Sequence, residues 1–254
     1  MTTNPPVNDG ESPFHRLDEF VAIPRVAGLA LSADGSRLVT SVSTLDADGK
    51  KFQSALWEID PAGVDAARRL TRSAPGESSP AFAPDGSLLF MSKRPDPDAG
   101  SDAKDPMPSL WSLPAGAGEA RLVATRSAGL GGFAVASDTG EVVVSASIAP
   151  TVDGLAADNE LRDGRKEAGV SAVLHETYPV RYWDHDLGSV VPHAYWVGTV
   201  AVDAAVDEAT WRDLTPDAAT PHGVGESVVL SPSGRWLAYA QRVADGAAGW
   251  RSRL

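Results

Sequence analysis

The chain has 254 residues, of which 43% are hydrophobic and 22% are charged, so it can form a substantial core. Its 34 acidic residues outnumber its 22 basic ones and give a formal net charge of −12, which argues against nucleic acid or an anionic membrane surface as a partner. The absence of cysteine excludes disulfides, thiolate metal sites and cysteine nucleophiles.

The N-terminal stretch, residues 1–13, is polar and is predicted to be a disordered tail, followed by a folded region over 14–254. No apolar run follows the tail that could form the core of a signal peptide. No stretch approaches the roughly 20 apolar residues of a membrane span. We therefore expect a soluble, cytoplasmic protein.

A repeated segment is the strongest signal in the chain. Each copy has an apolar run, a short turn with Asp or Ser and Gly, and a second run rich in β-forming residues. Pro presets the first turn position, Asp or Ser caps the turn, and Gly accepts a positive φ, so each copy predicts a tight β-hairpin. The four copies are Leu29–Val39, Ala81–Phe90, Ala134–Val144 and Val229–Tyr239.

The turn glycines Gly35, Gly86, Gly140 and Gly234 are 51, 54 and 94 residues apart. A strand containing Trp57, Trp111 or Trp196 follows each of the first three hairpins, and a short β-rich segment follows each of those. Four strands per repeat are typical of a β-propeller blade, which must stack on its neighbours. A β-sandwich with evenly spaced strands is the alternative, but the in-phase recurrence of hairpin and Trp strand favours the all-β propeller.

The chain contains three complete repeats and a fourth that stops in its third strand. One interpretation is a closed four-bladed ring, in which Phe20–Ile23 supplies the missing strand. The favoured interpretation is a fragment of a seven- or eight-bladed ring. An open arc would expose the apolar flanks of its end blades, so homo-oligomerisation or aggregation through these faces is expected.

The third repeat carries an insertion at about 151–191. Residues Ala156–Leu174 contain few β-branched residues and predict a helix. A long insertion in a compact repeat is usually functional or a variable surface, so its residues are the first candidates for a site.

The hairpins and Leu-Trp strands resemble the repeats of TolB-like propellers and of the N-terminal propeller of the prolyl oligopeptidase family, which includes acylaminoacyl and dipeptidyl peptidases. The stretch from His175 to Gly188, with Arg181-Tyr182-Trp183-Asp184 at its centre, resembles bacterial members of the peptidase family. Members of that family join a propeller, usually seven- or eight-bladed, to a C-terminal α/β-hydrolase domain. The resemblance implies a serine peptidase acting on short peptides, with no cofactor and with a propeller that gates access.

The nucleophile of such a hydrolase domain would stand in a Gly-x-Ser-x-Gly elbow. The nearest match here, Gly223 to Val228, lacks the final glycine and leads into a propeller strand. No alternating strand–helix pattern predicts a parallel sheet. The sequence therefore predicts no catalytic residue and no hydrolase domain in this chain, which should be inactive alone.

Acidic residues of the insertion are the first candidates for substrate binding. In some aminopeptidase-like members of the family, an acidic pair on a propeller insertion binds the free amino group of the substrate. By position, that resemblance makes Glu160, Glu167 and Glu176 candidates. Their spacing is not that of a paired motif, and the favoured interpretation is that they are solvated helix charges.

The polar residues around Trp183 are the second group of candidates. Arg181 could hold a substrate carbonyl or the hydrolase interface, with Asp184 orienting it, and His185 and Asp186 lie beside them. Alternatively, Trp183 packs in the blade and Arg181 forms a structural ion pair with Asp184.

Two groups of residues could ligate a metal by residue type, and no metal is expected at either. His175, His185 and His193 could ligate a metal by residue type, but nothing fixes their geometry. The acidic loop Pro95–Pro108 does not have the spacing of a calcium-binding loop. The sequence thus favours the propeller part of a serine peptidase, and a stand-alone TolB-like propeller that binds a protein or ligand is the alternative.

Overall fold

The structure is a computed structural model, and it describes residues 14, 16–97, 106–116, 118–175, 180–183, 185–186, 190–199, 205–218, 228–245 and 249–254. These residues form antiparallel sheets arranged as successive blades, which confirms the predicted all-β propeller architecture. Among the described residues, no helix is long and apolar enough to cross a membrane.

The first blade follows a short helix, α1 (Leu17–Ala22). Its strands, each paired with the next, are β1 (Arg25–Leu31), β2 (Leu38–Leu45), β3 (Phe52–Ile59) and β4 (Arg68–Arg69). The second blade repeats this order with β5 (Glu77–Phe82), β6 (Leu88–Ser92), β7 (Ser109–Leu113) and β8 (Arg121–Ala124).

The third blade contains the insertion. Strands β9 (Gly132–Val135) and β10 (Glu141–Ile148) are followed by helix α2 (Gly154–Glu167) and a small hairpin, β11 (Arg181–Tyr182) and β12 (His185–Asp186). The chain then returns to the blade as β13 (Val191–Thr199) and β14 (Arg212–Asp213), with a 3₁₀ turn at Glu208–Thr210 between them.

The last repeat forms two hairpins. Strands β15 (Val228–Leu230) and β16 (Leu237–Tyr239) pair with each other, and so do β17 (Gln241–Asp245) and β18 (Gly249–Arg253). The first strands of successive blades pack side by side, since β1 contacts β5, β5 contacts β9 and β9 contacts β15.

In each complete blade the tryptophan pairs with the third residue of the strand before it. Trp57 pairs with Thr40, Trp111 with Phe90 and Trp196 with Val143, each on the strand before. The sequence repeat is thus a repeat of pairing geometry.

The hairpin turns form as their residues predict. In the first, the carboxylate of Asp34 accepts from the Ser32 hydroxyl at 2.6 Å and from the Ser36 amide at 3.0 Å, while Gly35 has φ +72°. In the second, the Ser87 amide donates to Asp85 at 2.9 Å. A side-chain oxygen therefore closes both of these turns locally.

Apolar side chains fill the spaces between blades. The junction of blades one and two buries Val39, Leu56, Phe90 and Trp111. The larger cluster between blades two and three includes Leu89, Leu110, Val142, Val144 and Tyr195.

Two details differ from the sequence predictions. Residues 20–23, proposed as a strand closing a four-bladed ring, lie in and just after helix α1. Helix α2 ends at Glu167 and not at Leu174, because Gly169 adopts φ +66° and the Val170 and Gly169 amides bond back to Arg165 and Lys166. This is a Schellman arrangement, which terminates a helix at a left-handed glycine.

Both end blades expose apolar side chains, as expected for an open arc. On β1, Val26, Leu29 and Leu31 are exposed, and in the last repeat Val229 and Trp236 are exposed. Exposed apolar surface of this kind is typical of faces that are covered by a further element.

Candidate functional site

The insertion emerges on one face of the propeller. In each complete blade the second strand ends opposite the start of the third, at the pairs Leu45–Phe52, Ser92–Ser109 and Ile148–Val191. Because α2 lies within the third of these connections, it belongs to that face. This face also holds the most deeply buried polar groups.

A buried ion pair fixes α2 to the propeller. Arg126 lies in the connection between blades two and three, and its Nη2 donates to the Asp158 carboxylate of α2 at 2.6 Å. Both side chains are completely buried. Nη1 of Arg126 donates to the Ser147 carbonyl at 2.7 Å, and Asp158 accepts from the Ala149 amide at 2.7 Å. The third guanidinium nitrogen, Nε, has no hydrogen-bond partner among the described residues but lies 3.6 Å from Oε1 of Glu208. Hydrogen bonds to the other atoms of a buried pair offset part of the cost of removing its charges from water.

Further polar contacts hold helix α2 beside the Arg126–Asp158 ion pair. Arg162, one turn along α2, donates to Asp158 at 2.6 Å. Asn159 accepts from the Ser127 hydroxyl at 3.0 Å and donates to Glu208 at 3.0 Å. The helix is thereby tied to the start of its own blade's fourth strand as well as to the preceding blade.

A cavity of about 640 Å³ lies at the start of helix α2. Ile148, Val152, Leu155 and Val191 form part of its apolar wall. Its volume falls within the range of small-molecule sites in proteins. The polar side chains of the wall include His193 and Tyr195 of β13 and Asp213 of β14.

Strand geometry places these side chains together. His193 and Tyr195 are two residues apart on β13, so they point to the same side of the sheet. Asp213 of β14 pairs with Tyr195 in register, and its carboxylate lies 2.7 Å from Nδ1 of His193. This carboxylate fixes the orientation of the imidazole and leaves Nε2 as its other polar atom.

Three aromatic rings form a row along the cavity wall. The rings of His193 and Tyr195 are stacked with centroids 6.0 Å apart, and Tyr195 and Trp211 lie 6.3 Å apart. All three residues are more than nine-tenths buried. Burial, and then the negative charge of Asp213, raises the pKa of the Tyr195 hydroxyl, which therefore stays neutral at ordinary pH.

Two buried polar atoms of this row have no hydrogen-bond partner among the described residues: the Tyr195 hydroxyl and Nε1 of Trp211. Buried polar groups are nearly always bonded, so such atoms point to water or a ligand. Helix α2 also begins at the cavity, and its N-cap residue, Asp153, makes no side-chain capping bond to the first turn.

A second buried cluster lies on the same face at the junction of blades one and two. Glu77 is fully buried and accepts from the Thr71 hydroxyl at 2.7 Å, the Ser73 amide at 3.0 Å and Arg94 at 2.5 Å. The Arg94 guanidinium also lies over the rings of Phe90 and Trp111. Every oxygen of Glu77 is bonded within the fold, whereas the Ser73 hydroxyl and Nε of Arg94 have no hydrogen-bond partner among the described residues.

Of the sequence candidates, Glu160, Glu167 and Arg181 do not line the cavity. Arg181 starts the β11–β12 hairpin, where it pairs in register with Asp186. Glu160 and Glu167 are exposed on α2. His185 occupies β12, its side chain is not described, and Glu176 and Asp184 lie outside the described residues. Trp183 is 98% exposed with φ +51°, so the expectation that it packs in the blade is wrong.

The histidines considered as metal ligands differ in their surroundings. His175 is exposed, whereas His193 is buried beside Asp213. Within the described part of the chain, no group of three His, Asp or Glu side chains could hold a metal ion.

Tyr195, Trp211, Asp213 and Arg126 were not identified from the sequence. The alternation of His193 and Tyr195 on one strand could have shown that they share a face. Their partner Asp213 could be found only from the pairing of β13 with β14.

Comparison with solved structures gives the fold. The Pyrococcus horikoshii acylaminoacyl peptidase (orthorhombic crystal form) matches with a TM-score of 0.58 and 8% identity, covering 92% of this chain and 31% of that one. Its uncomplexed form matches with a TM-score of 0.55 and 8% identity, over 89% and 29% of the two chains. A putative TolB from Agrobacterium tumefaciens has a TM-score of 0.45 and 13% identity, over 85% and 58%.

The chain thus spans about a third of the length of the peptidase that it resembles in fold. No protein-family model matches the sequence, and no curated protein matches it.

Proposed function

We propose that this chain is the N-terminal propeller portion of a cytoplasmic serine peptidase of the prolyl oligopeptidase family. The observation that carries the proposal is the fold match to acylaminoacyl peptidase, which covers 92% of this chain but 31% of the peptidase. In such a protein a hydrolase domain outside this sequence would cut short peptides. The propeller would restrict access to it.

The fixed position of helix α2 supports a role of the insertion in binding the peptide substrate. Helix α2 is held rigidly by Arg126 and Asp158, so the chain that follows it leaves the propeller from a fixed point. Rigid support is what precise positioning of a binding loop requires. Glu167, Glu176, Arg181, Asp184 and His185 would then present charges to a peptide near the access route.

The first test uses the chain alone. A fluorophosphonate probe labels activated serines, and chromogenic peptides report turnover. Because the chain has no Gly-x-Ser-x-Gly elbow, neither labelling nor hydrolysis is expected. Turnover by the chain itself would contradict the proposal.

The second test reads the gene beyond the codon for Leu254. The proposal expects a hydrolase domain with a Gly-x-Ser-x-Gly segment there, in this or a shifted frame, and fails if none is encoded. The extended protein should cleave a short peptide but spare the same sequence within an unfolded protein chain. Removal of the propeller should abolish that discrimination.

A propeller acting alone as a ligand-binding module is the alternative, and the cavity in the third blade favours it. The two proposals differ in what lies beyond Leu254. Only the peptidase requires a hydrolase domain.

A further inference from the structure

The cavity of the third blade brings together features that the proposed peptidase role does not use. Its aromatic row contains two buried donors without a partner among the described residues, the Tyr195 hydroxyl and Nε1 of Trp211. Both residues line the cavity. An indole N–H can only donate a hydrogen bond, so the group that satisfies Trp211 must be an acceptor.

The charges of the wall restrict what that acceptor can be. Asp153, Glu208 and Asp213 line the cavity, whereas no Lys or Arg does so among the described residues. Three carboxylates and no lining cation disfavour an anionic ligand. An uncharged acceptor therefore fits this wall better than an anionic one.

The same carboxylates do not require a cationic ligand. Asp213 already pairs with His193 at 2.7 Å and accepts from the Thr215 amide at 2.8 Å. Glu208 accepts from Asn159 at 3.0 Å. Asp213 and Glu208 therefore have partners within the fold, and Asp153 is exposed to solvent, so the unpartnered donors define the ligand chemistry.

The apolar residues of the wall indicate that the rest of the ligand is apolar. Ile148, Val152, Leu155 and Val191 offer apolar surface, and the uncapped first turn of α2 adds backbone amides that also favour an acceptor. We propose that this cavity binds an uncharged carbonyl compound, such as an amide, with a compact apolar body. Its oxygen accepts from Tyr195 and Trp211.

The binding test compares three molecules of matched shape: isovaleramide, isovalerate and isoamylamine. Each is titrated into the full 254-residue chain while the Trp211 indole N–H resonance is followed by NMR. That resonance is identified by its loss in Trp211→Phe. The amide should give a saturable shift, with at least tenfold tighter binding than the acid or the amine.

Tyr195→Phe removes one hydroxyl from the site. Loss of one hydrogen bond should weaken amide binding about fivefold. Tyr239→Phe is the matched control, since Tyr239 lies on β16 and does not line the cavity, and it should bind as the unaltered chain does.

Three results would overturn the proposal. One is the absence of any saturable shift, which would leave the donors bonded to water only. Another is equal or tighter binding of the acid or the amine. The third is unchanged amide affinity in a folded Tyr195→Phe variant. If that variant does not fold, the proposal is still tested by comparing the affinities of the amide, the acid and the amine at the Trp211 resonance of the unaltered chain. Binding here needs no hydrolase domain, so its outcome is independent of the proposed peptidase role.

Discussion

The Asp158 carboxylate lies 2.6 Å from Nη2 of Arg126, and both side chains are completely buried where helix α2 meets the propeller. The pair joins an insertion of the third blade to the connection that follows the second. It therefore decides whether the insertion has a fixed position on its face of the propeller.

Asp158→Ala should destabilise the chain by about 3–5 kcal/mol, because it leaves the buried Arg126 guanidinium without its closest anion. The Ala149 amide would also lose its acceptor. Urea unfolding measures the free energy, and hydrogen exchange of the α2 amides reports whether the helix detaches.

Arg68→Met is the control for this substitution. Arg68 pairs with Glu58 at 2.5 Å but its side chain is 72% exposed, so its loss should cost under about 1 kcal/mol. Equal effects of the two substitutions would contradict the assignment of Asp158 as the anchor of α2.

A second prediction concerns equivalent bulges in the first strands of two blades. The pairing register shifts at Gly28 in β1 and at Ser79 in β5, where φ is +67° and +55°. A side chain at such a φ is strained, and only glycine adopts it freely. Gly28→Ser should therefore cost about 1 kcal/mol, whereas Ser79→Gly should be neutral or stabilising by thermal unfolding.

Gly116→Ser provides the comparison, because Gly116 has open space around it and no positive φ. That variant should unfold at the temperature of the unaltered chain. If Ser79→Gly destabilised the chain as much as Gly28→Ser, backbone strain at residue 79 would be refuted.

The parts of the fold that were predictable from the sequence are those encoded locally. The Asp34-Gly35 turn and its repeats contain their own hydrogen-bond groups, so their residues predict them without tertiary information. The end of α2 is also encoded locally, since Gly169 is the stop signal. The sequence prediction ran past it to Leu174 because few residues of Ala156–Leu174 are β-branched.

The site is different because it depends on pairings distant in sequence. Arg126 and Asp158 are 32 residues apart, and His193 and Asp213 are 20 apart. Only the blade register brings them into contact. Sequence reasoning instead selected charges near Trp183, a residue that the structure leaves exposed.

Self-association through the first blade is a third prediction. Val26 and Leu29 are exposed on β1, where a further blade or a second copy could cover them. The weight-average mass in sedimentation should rise above 26.5 kDa with concentration. Val26→Thr combined with Leu29→Lys should suppress that rise.

Val64→Lys is the matched control, since Val64 is exposed on a loop of the same blade, between β3 and β4. It should associate as the unaltered chain does. A chain that keeps its monomer mass at all concentrations would refute association through β1.

The fourth prediction is a titration in the first hairpin turn. Hydrogen bonds from the Ser32 hydroxyl first, and then from the Ser36 amide and hydroxyl, lower the pKa of the Asp34 carboxyl to about 2. A carboxyl whose pKa is lower in the folded state stabilises it above the unfolded pKa of about 4. That contribution should be lost as the pH falls from about 4 towards 2.

The NMR titration of the Asp34 side-chain carbonyl carbon measures this directly. Ser32→Ala should raise the midpoint towards the ordinary aspartate value, because it removes the strongest of the three bonds. Ser43→Ala, on β2 away from the turn, should leave it unchanged. A midpoint near 4 in the unaltered chain would show that the Asp34 carboxylate does not close the turn in solution.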